Sequence, residues 1–108
     1  MATQHEYSLT QLLPLVKSPA GQAQFTAMLS KQPALIEPVS AVVRRYESMP
    51  VVTAMEIEMS NDSASPPIRI VIDTTTEGVT YDQLQDDFWD WWISKYAWAA
   101  RSVLVALW

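Results

Sequence analysis

At 108 residues, with 49% hydrophobic and 18% charged side chains, the chain is long enough for one domain around a single core and too apolar for disorder. Twelve acids against seven bases leave a formal charge of −5. This argues against nucleic acid and anionic membranes, which require a basic surface. No cysteine is present, so disulfides, thiol nucleophiles and thiolate metal sites are excluded, and a cytoplasmic location is expected.

Residues 1–7 read as a flexible leader, with neither the basic nor the apolar region of a secretory signal. Ser8-Leu9-Thr10-Gln11 follows the capping-box pattern, in which a hydroxyl and an amide three residues later satisfy free N–H groups at a helix start. A short helix is predicted there, with Leu9, Leu12, Leu13 and Val16 as its apolar side and Pro14 limiting it. Ser18-Pro19 restarts a helix, with Ser as cap and Pro at the first position, where its missing N–H is no loss. That helix should carry Phe25, Met28 and Leu29 inward and end before Gln32-Pro33. A third is predicted from Pro38 to Ser48, with Val39, Val42, Val43 and Tyr46 as its buried stripe and Arg44 and Arg45 outside.

The period then changes. Val51, Thr53, Met55, Ile57 and Met59 alternate with Val52, Ala54, Glu56 and Glu58, and Ile68, Ile70 and Ile72 alternate with Arg69, Val71 and Asp73. Both segments read as strands with one wet face. An antiparallel hairpin across the polar loop 60–67 is the simplest pairing, placing Arg69 opposite Glu56 or Glu58. Val79 is a candidate for a short third strand. Thr80-Tyr81-Asp82-Gln83 repeats the capping-box pattern, and a helix is predicted from about Tyr81 to at least Ser102. Residues 103–108 read as either its continuation or a strand, because Val103 and Val105 are stiff at the β-carbon. The expected fold is therefore α+β: N-terminal helices, an antiparallel β-hairpin or small sheet, and a long C-terminal helix packed across it.

Three of the five tryptophans lie in Asp86-Asp87-Phe88-Trp89-Asp90-Trp91-Trp92. At 3.6 residues per turn, Phe88, Trp89, Trp92, Tyr96, Ala99, Val103 and Leu107 share one broad face, expected to be core. Gln83, Asp86, Asp90, Ser94 and Arg101 form the opposite, solvated stripe. Trp91 and Trp98 fall on the edge between them, bordered by Asp87 and Lys95 and in line with Leu84 and Val105. They are either packed internally, against the first helix for example, or exposed as aromatic anchors with carboxylates at the rim. A carbohydrate-stacking platform is a further reading, with no other lectin signal beside it. Asp73, Glu77, Asp82, Asp86, Asp87 and Asp90 follow one another with no intervening base. Singly they suit a solvated face or a helix N-terminus; together they would steer a basic partner.

Catalytic patterns are sparse. The single histidine, His5, lies in the leader, and two glycines provide no phosphate-cradling loop. Glu56, Glu58 and Asp73 could form a carboxylate site only if the hairpin gathers them. The stretch 88–108 is apolar enough to suggest a membrane span, but Asp90, Lys95 and Arg101 interrupt it. The sequence reading is a non-enzymatic protein-binding module without metal or cofactor. It would be a small acidic inhibitor or immunity-type protein that neutralises a basic enzyme or toxin by occlusion. Trp91 and Trp98 are its expected anchors, with Asp86, Asp87 and Asp90 as polar contacts. Two alternatives stand beside it. One is a homodimeric structural or chaperone-like module joined along Leu84, Trp91, Trp98 and Val105; the other is a small hydrolase built on Glu56, Glu58 and Asp73.

Overall fold

Local capping sets the first helices in the computed structural model, which describes residues 8–61, 64–75 and 78–107. The leader with His5, as well as Glu77 and Trp108, lies outside the described residues. Ser8 Oγ accepts from Gln11 N at 3.3 Å and Gln11 Oε1 accepts from Ser8 N at 2.8 Å, so the capping box is reciprocal and opens helix α1 (Leu9–Leu12). Pro14 then sits in a short 3₁₀ turn, Leu13–Leu15. Helix α2 (Pro19–Lys31) starts as expected, with Ser18 Oγ accepting from Gly21 N at 2.9 Å. A Cβ at Gly21 would lie 2.8 Å from Ser18 Oγ and 3.1 Å from Val16 Cγ1, so a side chain there would have to displace the capping hydroxyl. Gln22 Nε2 donates to Val16 O at 2.9 Å and ties the preceding turn to the helix.

Helix α3 (Ile36–Glu47) starts two residues before Pro38. The 3₁₀ turn Pro33–Leu35 leads straight into it, and Pro38 lies in the first turn, where N–H groups have no intrahelical acceptor. Strand β1 (Val52–Met59) pairs antiparallel with β2 (Ile68–Thr74), with Ile57 opposite Ile70 and Glu58 opposite Arg69. The register shifts between Val52 and Ala54, where the strand bulges.

The C-terminal third departs from the sequence expectation. Helix α4 (Gly78–Tyr96) begins before Thr80, so Val79 is helical and the Thr80–Gln83 pattern is not its cap. The helix stops at Tyr96 rather than reaching Ser102. A 3₁₀ turn, Ala97–Ala99, reverses the chain into strand β3 (Val103–Leu107), which lies parallel to β2 in a sheet of order β1-β2-β3. The physical reason is the free edge of β2: β3 completes its ladder, and the alternation of Val103, Val105 and Leu107 with Leu104 and Ala106 has the period of a strand. A β2–α4–β3 crossover is thus added to a β1–β2 hairpin, giving a mixed sheet in an α+β fold.

One sheet face is covered. Ile57, Ile68, Ile70, Ile72, Val103, Val105 and Leu107 are buried in one apolar cluster with Leu12, Phe25, Leu29, Val39, Val42, Tyr46, Phe88 and Trp92 from the helices. The other face presents Glu58, Arg69, Asp73 and Leu104 to solvent. Among the described residues, no helix is long and apolar enough to cross a membrane.

Candidate functional site: the acidic, aromatic side of α4

The burial of α4 is anchored by Phe88 and Trp92. Their rings stack at 5.7 Å with 21° between planes, and Phe88 meets Tyr46 of α3 at 6.0 Å. These two follow the helical winding. Trp89 does not: the winding assigns it to the core, yet it is 43% exposed. One position on from Phe88 the helix has turned about 100°, and the sheet ends there at the short edge strand β3. The Trp89 ring therefore borders a groove of about 200 Å³ formed with Gln85, Val105, Ala106 and Leu107. One turn later Ile93 is 61% exposed on the same side. The sequence reading gives Ile93 no role, although its i, i+4 relation to Trp89 places both on one flank.

Trp91 takes the internal position. It is half-buried, with the Arg45 guanidinium 4.7 Å above its ring and Tyr96 edge-on at 5.6 Å. Arg45 is not on the solvated helix face that the sequence suggests; α4 packs beside α3 and draws it over the indole. The neighbour of Trp91 is thus α3, not the first helix. Arg45 Nε and the Tyr46 hydroxyl are both buried without a hydrogen-bond partner among the described residues. Burial raises the Tyr46 phenol above its ordinary range, Arg45 acts against this, and Asp87 adds to it.

Trp98 lies beyond the end of α4. It is 56% exposed, touches Tyr96 at 6.5 Å, and borders a shallow groove with Pro33, Ala34, Ile36 and Glu37. The expected line Leu84–Trp91–Trp98–Val105 does not form, because the helix ends between its second and third members and Val105 is a buried strand residue.

The acids of α4 are where the winding puts them. Asp82, Asp86, Asp87 and Asp90 are exposed, and none forms an ion pair among the described residues. The ion pair expected across the hairpin is present, with Arg69 Nε 3.7 Å from Glu58 Oε1. That pairing, with Glu56 opposite Val71 and Asp73 opposite Ala54, spreads the hairpin carboxylates along the sheet. Among the described residues no three acidic or histidine side chains come together as a metal site.

The surface assembled on α4 is therefore acidic and partly apolar. It combines Asp86, Asp87 and Asp90 with Ile93, and Trp98 follows at the helix end. Comparison with known proteins returns no match: no protein-family model fits the chain, no curated protein resembles its sequence, and no solved structure resembles its fold.

Proposed function

We propose that this chain is a non-enzymatic protein-binding module whose α4 surface engages a basic protein partner. Its action would be that of a small inhibitor or immunity-type protein that occludes a basic enzyme or toxin. One observation carries the reading. The two most exposed large apolar side chains among the described residues, Ile93 and Trp98, lie on and just beyond the helix that bears the unpaired carboxylates Asp86, Asp87 and Asp90. Apolar anchors bordered by charge are the composition of an interface hot spot, and uncompensated acids favour a cationic counterpart. Trp91 then acts from beneath, held by Arg45, and supports the surface more than it inserts into a partner. A cytoplasmic site of action accords with a chain that contains no cysteine.

The test starts from the partner captured by the tagged protein in extracts of the source cell. Its affinity is then measured for the wild type, for Trp98→Ala and for the double variant Asp86→Asn, Asp90→Asn. Loss of a hot-spot anchor should weaken binding by about 2 kcal/mol, and the double variant should bind more slowly. A captured protein with an acidic surface, or a basic one indifferent to all three substitutions, would refute the reading.

A further inference from the structure

The groove beside Trp98 is walled by segments far apart in the chain. Pro33 and Ala34 come from the 3₁₀ turn before α3, Ile36 and Glu37 from the first turn of α3, and Trp98 from the turn after α4. Its volume of about 340 Å³ is at the small end of the roughly 300–1,000 Å³ typical of ligand pockets. That suits one side chain rather than an extended ligand.

The lining sorts the occupants. Pro33, Ala34 and Ile36 are apolar, Trp98 adds an indole that is 56% exposed, and Glu37 supplies the sole carboxylate. Glu37 is exposed and forms no ion pair among the described residues. An apolar side chain seated here would desolvate that carboxylate without giving it a partner. A sugar would find a single polar side chain where it needs several. An anion would meet like charge, and the backbone N–H groups at this end of α3 are engaged. Leu35 N donates to Gln32 O at 3.0 Å, and Ile36 N donates to Pro33 O. A cation answers both features, the carboxylate by charge and the indole through the negative face of its π-system.

Among cations, a guanidinium fits this lining better than an ammonium. It is planar and weakly hydrated, stacks on aromatic surfaces, and donates two parallel hydrogen bonds to one carboxylate. The molecule already holds one such pair, with the Arg45 guanidinium 4.7 Å from the centre of the Trp91 ring. None of the chain's own bases lines the Trp98 groove, and among the described residues no cation lies over its indole.

We propose that this groove receives an arginine side chain of the partner, with the guanidinium against the Trp98 indole and paired with Glu37. The proposal rests on the partner-binding reading for the source of that arginine, and it extends the binding surface from α4 to the start of α3. Trp98 is then a platform for a cation rather than a plug that enters the partner.

The probe is N-acetyl-arginine amide, titrated into the whole protein and followed by the Trp98 indole N–H and the Ala34 and Glu37 amides in ¹H–¹⁵N spectra. A single side chain should shift these signals saturably in the millimolar range. N-acetyl-citrulline amide, which has nearly the same shape without the charge, should bind about tenfold more weakly, as should the arginine probe to Glu37→Gln. Trp98→Leu keeps an apolar wall without the π-face, and the Ala34 and Glu37 amides should report a loss of several-fold. Both substituted positions are exposed, and unchanged circular dichroism would establish that the variants are folded. Equal binding of the citrulline probe, or indifference to Glu37→Gln, overturns the proposal. So does the absence of a saturable shift at Trp98. The Asp86→Asn, Asp90→Asn variant should bind the probe as wild type does. A groove that takes the arginine probe while no basic partner is captured would sink the partner-binding reading alone. A basic partner whose binding ignores Glu37→Gln would sink the groove alone.

Discussion

Tyr46 sits at the junction of α3 and α4, its ring against Phe88 and its hydroxyl buried beside the Arg45 side chain. Burial disfavours the phenolate, so the folded-state pKa lies above the value near 10 that the unfolded chain retains. Above that value the unfolded chain loses its proton first, and folding stability should fall as pH rises from about 10. Below it the contribution is complete and flat. Tyr46→Phe removes both the titration and a hydroxyl with no partner among the described residues. Urea unfolding should show this variant within about 1 kcal/mol of wild type at neutral pH and less sensitive to alkali. An equal alkaline loss in wild type and variant would place the sensitivity elsewhere. The burial of Tyr46 was legible in the sequence from its i, i+3 and i+4 relation to Val42 and Val43. The placement of Arg45 was not, because a guanidinium at a helix flank is solvated or stacked according to which element packs beside it.

At the scale of the element, α4 divides its aromatics by what lies beneath them. Phe88 and Trp92 face the sheet and α3, whereas Trp98 has left the helix and faces outward. Phe88→Ala should therefore cost about 3–5 kcal/mol of stability, through lost burial and the cavity left behind. Trp98→Ala should stay within roughly 0.5 kcal/mol, as exposed substitutions do. Denaturant midpoints would show the contrast, and a large loss at Trp98 would mark it as core. The winding argument separates Phe88 and Trp92 from Asp86 and Asp90 correctly, since periodicity is local. It fails at Trp89 because a helical wheel carries no information about where the covering sheet ends. It fails again beyond Tyr96, where a 3₁₀ turn ends the helix short of the expected Ser102, and of the two readings open for 103–108 it is the strand that forms against β2.

At the scale of the molecule, the charge of −5 is unevenly spread, with four exposed aspartates between positions 82 and 90 and no base between them. A field of one sign acts on approach more than on the docked complex. For a basic partner the association rate should fall about tenfold between low and physiological salt, with little change in dissociation. Stopped-flow mixing at several ionic strengths measures this directly. Salt-independent association would show that the acids serve only solvation.

By itself the sequence determined the features that local chemistry dictates. These are the serine caps of the first two helices, the β1–β2 hairpin with Arg69 opposite Glu56 or Glu58, the helical aromatic segment, and the exposure of Asp86 and Asp90. Each depends on residues close in the chain or on strict alternation. Only the tertiary structure decided that Val103–Leu107 is a strand, that Trp91 lies under Arg45, and that Trp89 is partly exposed beside β3. Those outcomes depend on which backbone edge remains unpaired and which surface remains uncovered once distant elements have packed. The hydrogen bonds of β2 and the limited width of a three-stranded sheet impose them, and neither is encoded in the residues of 86–108 alone.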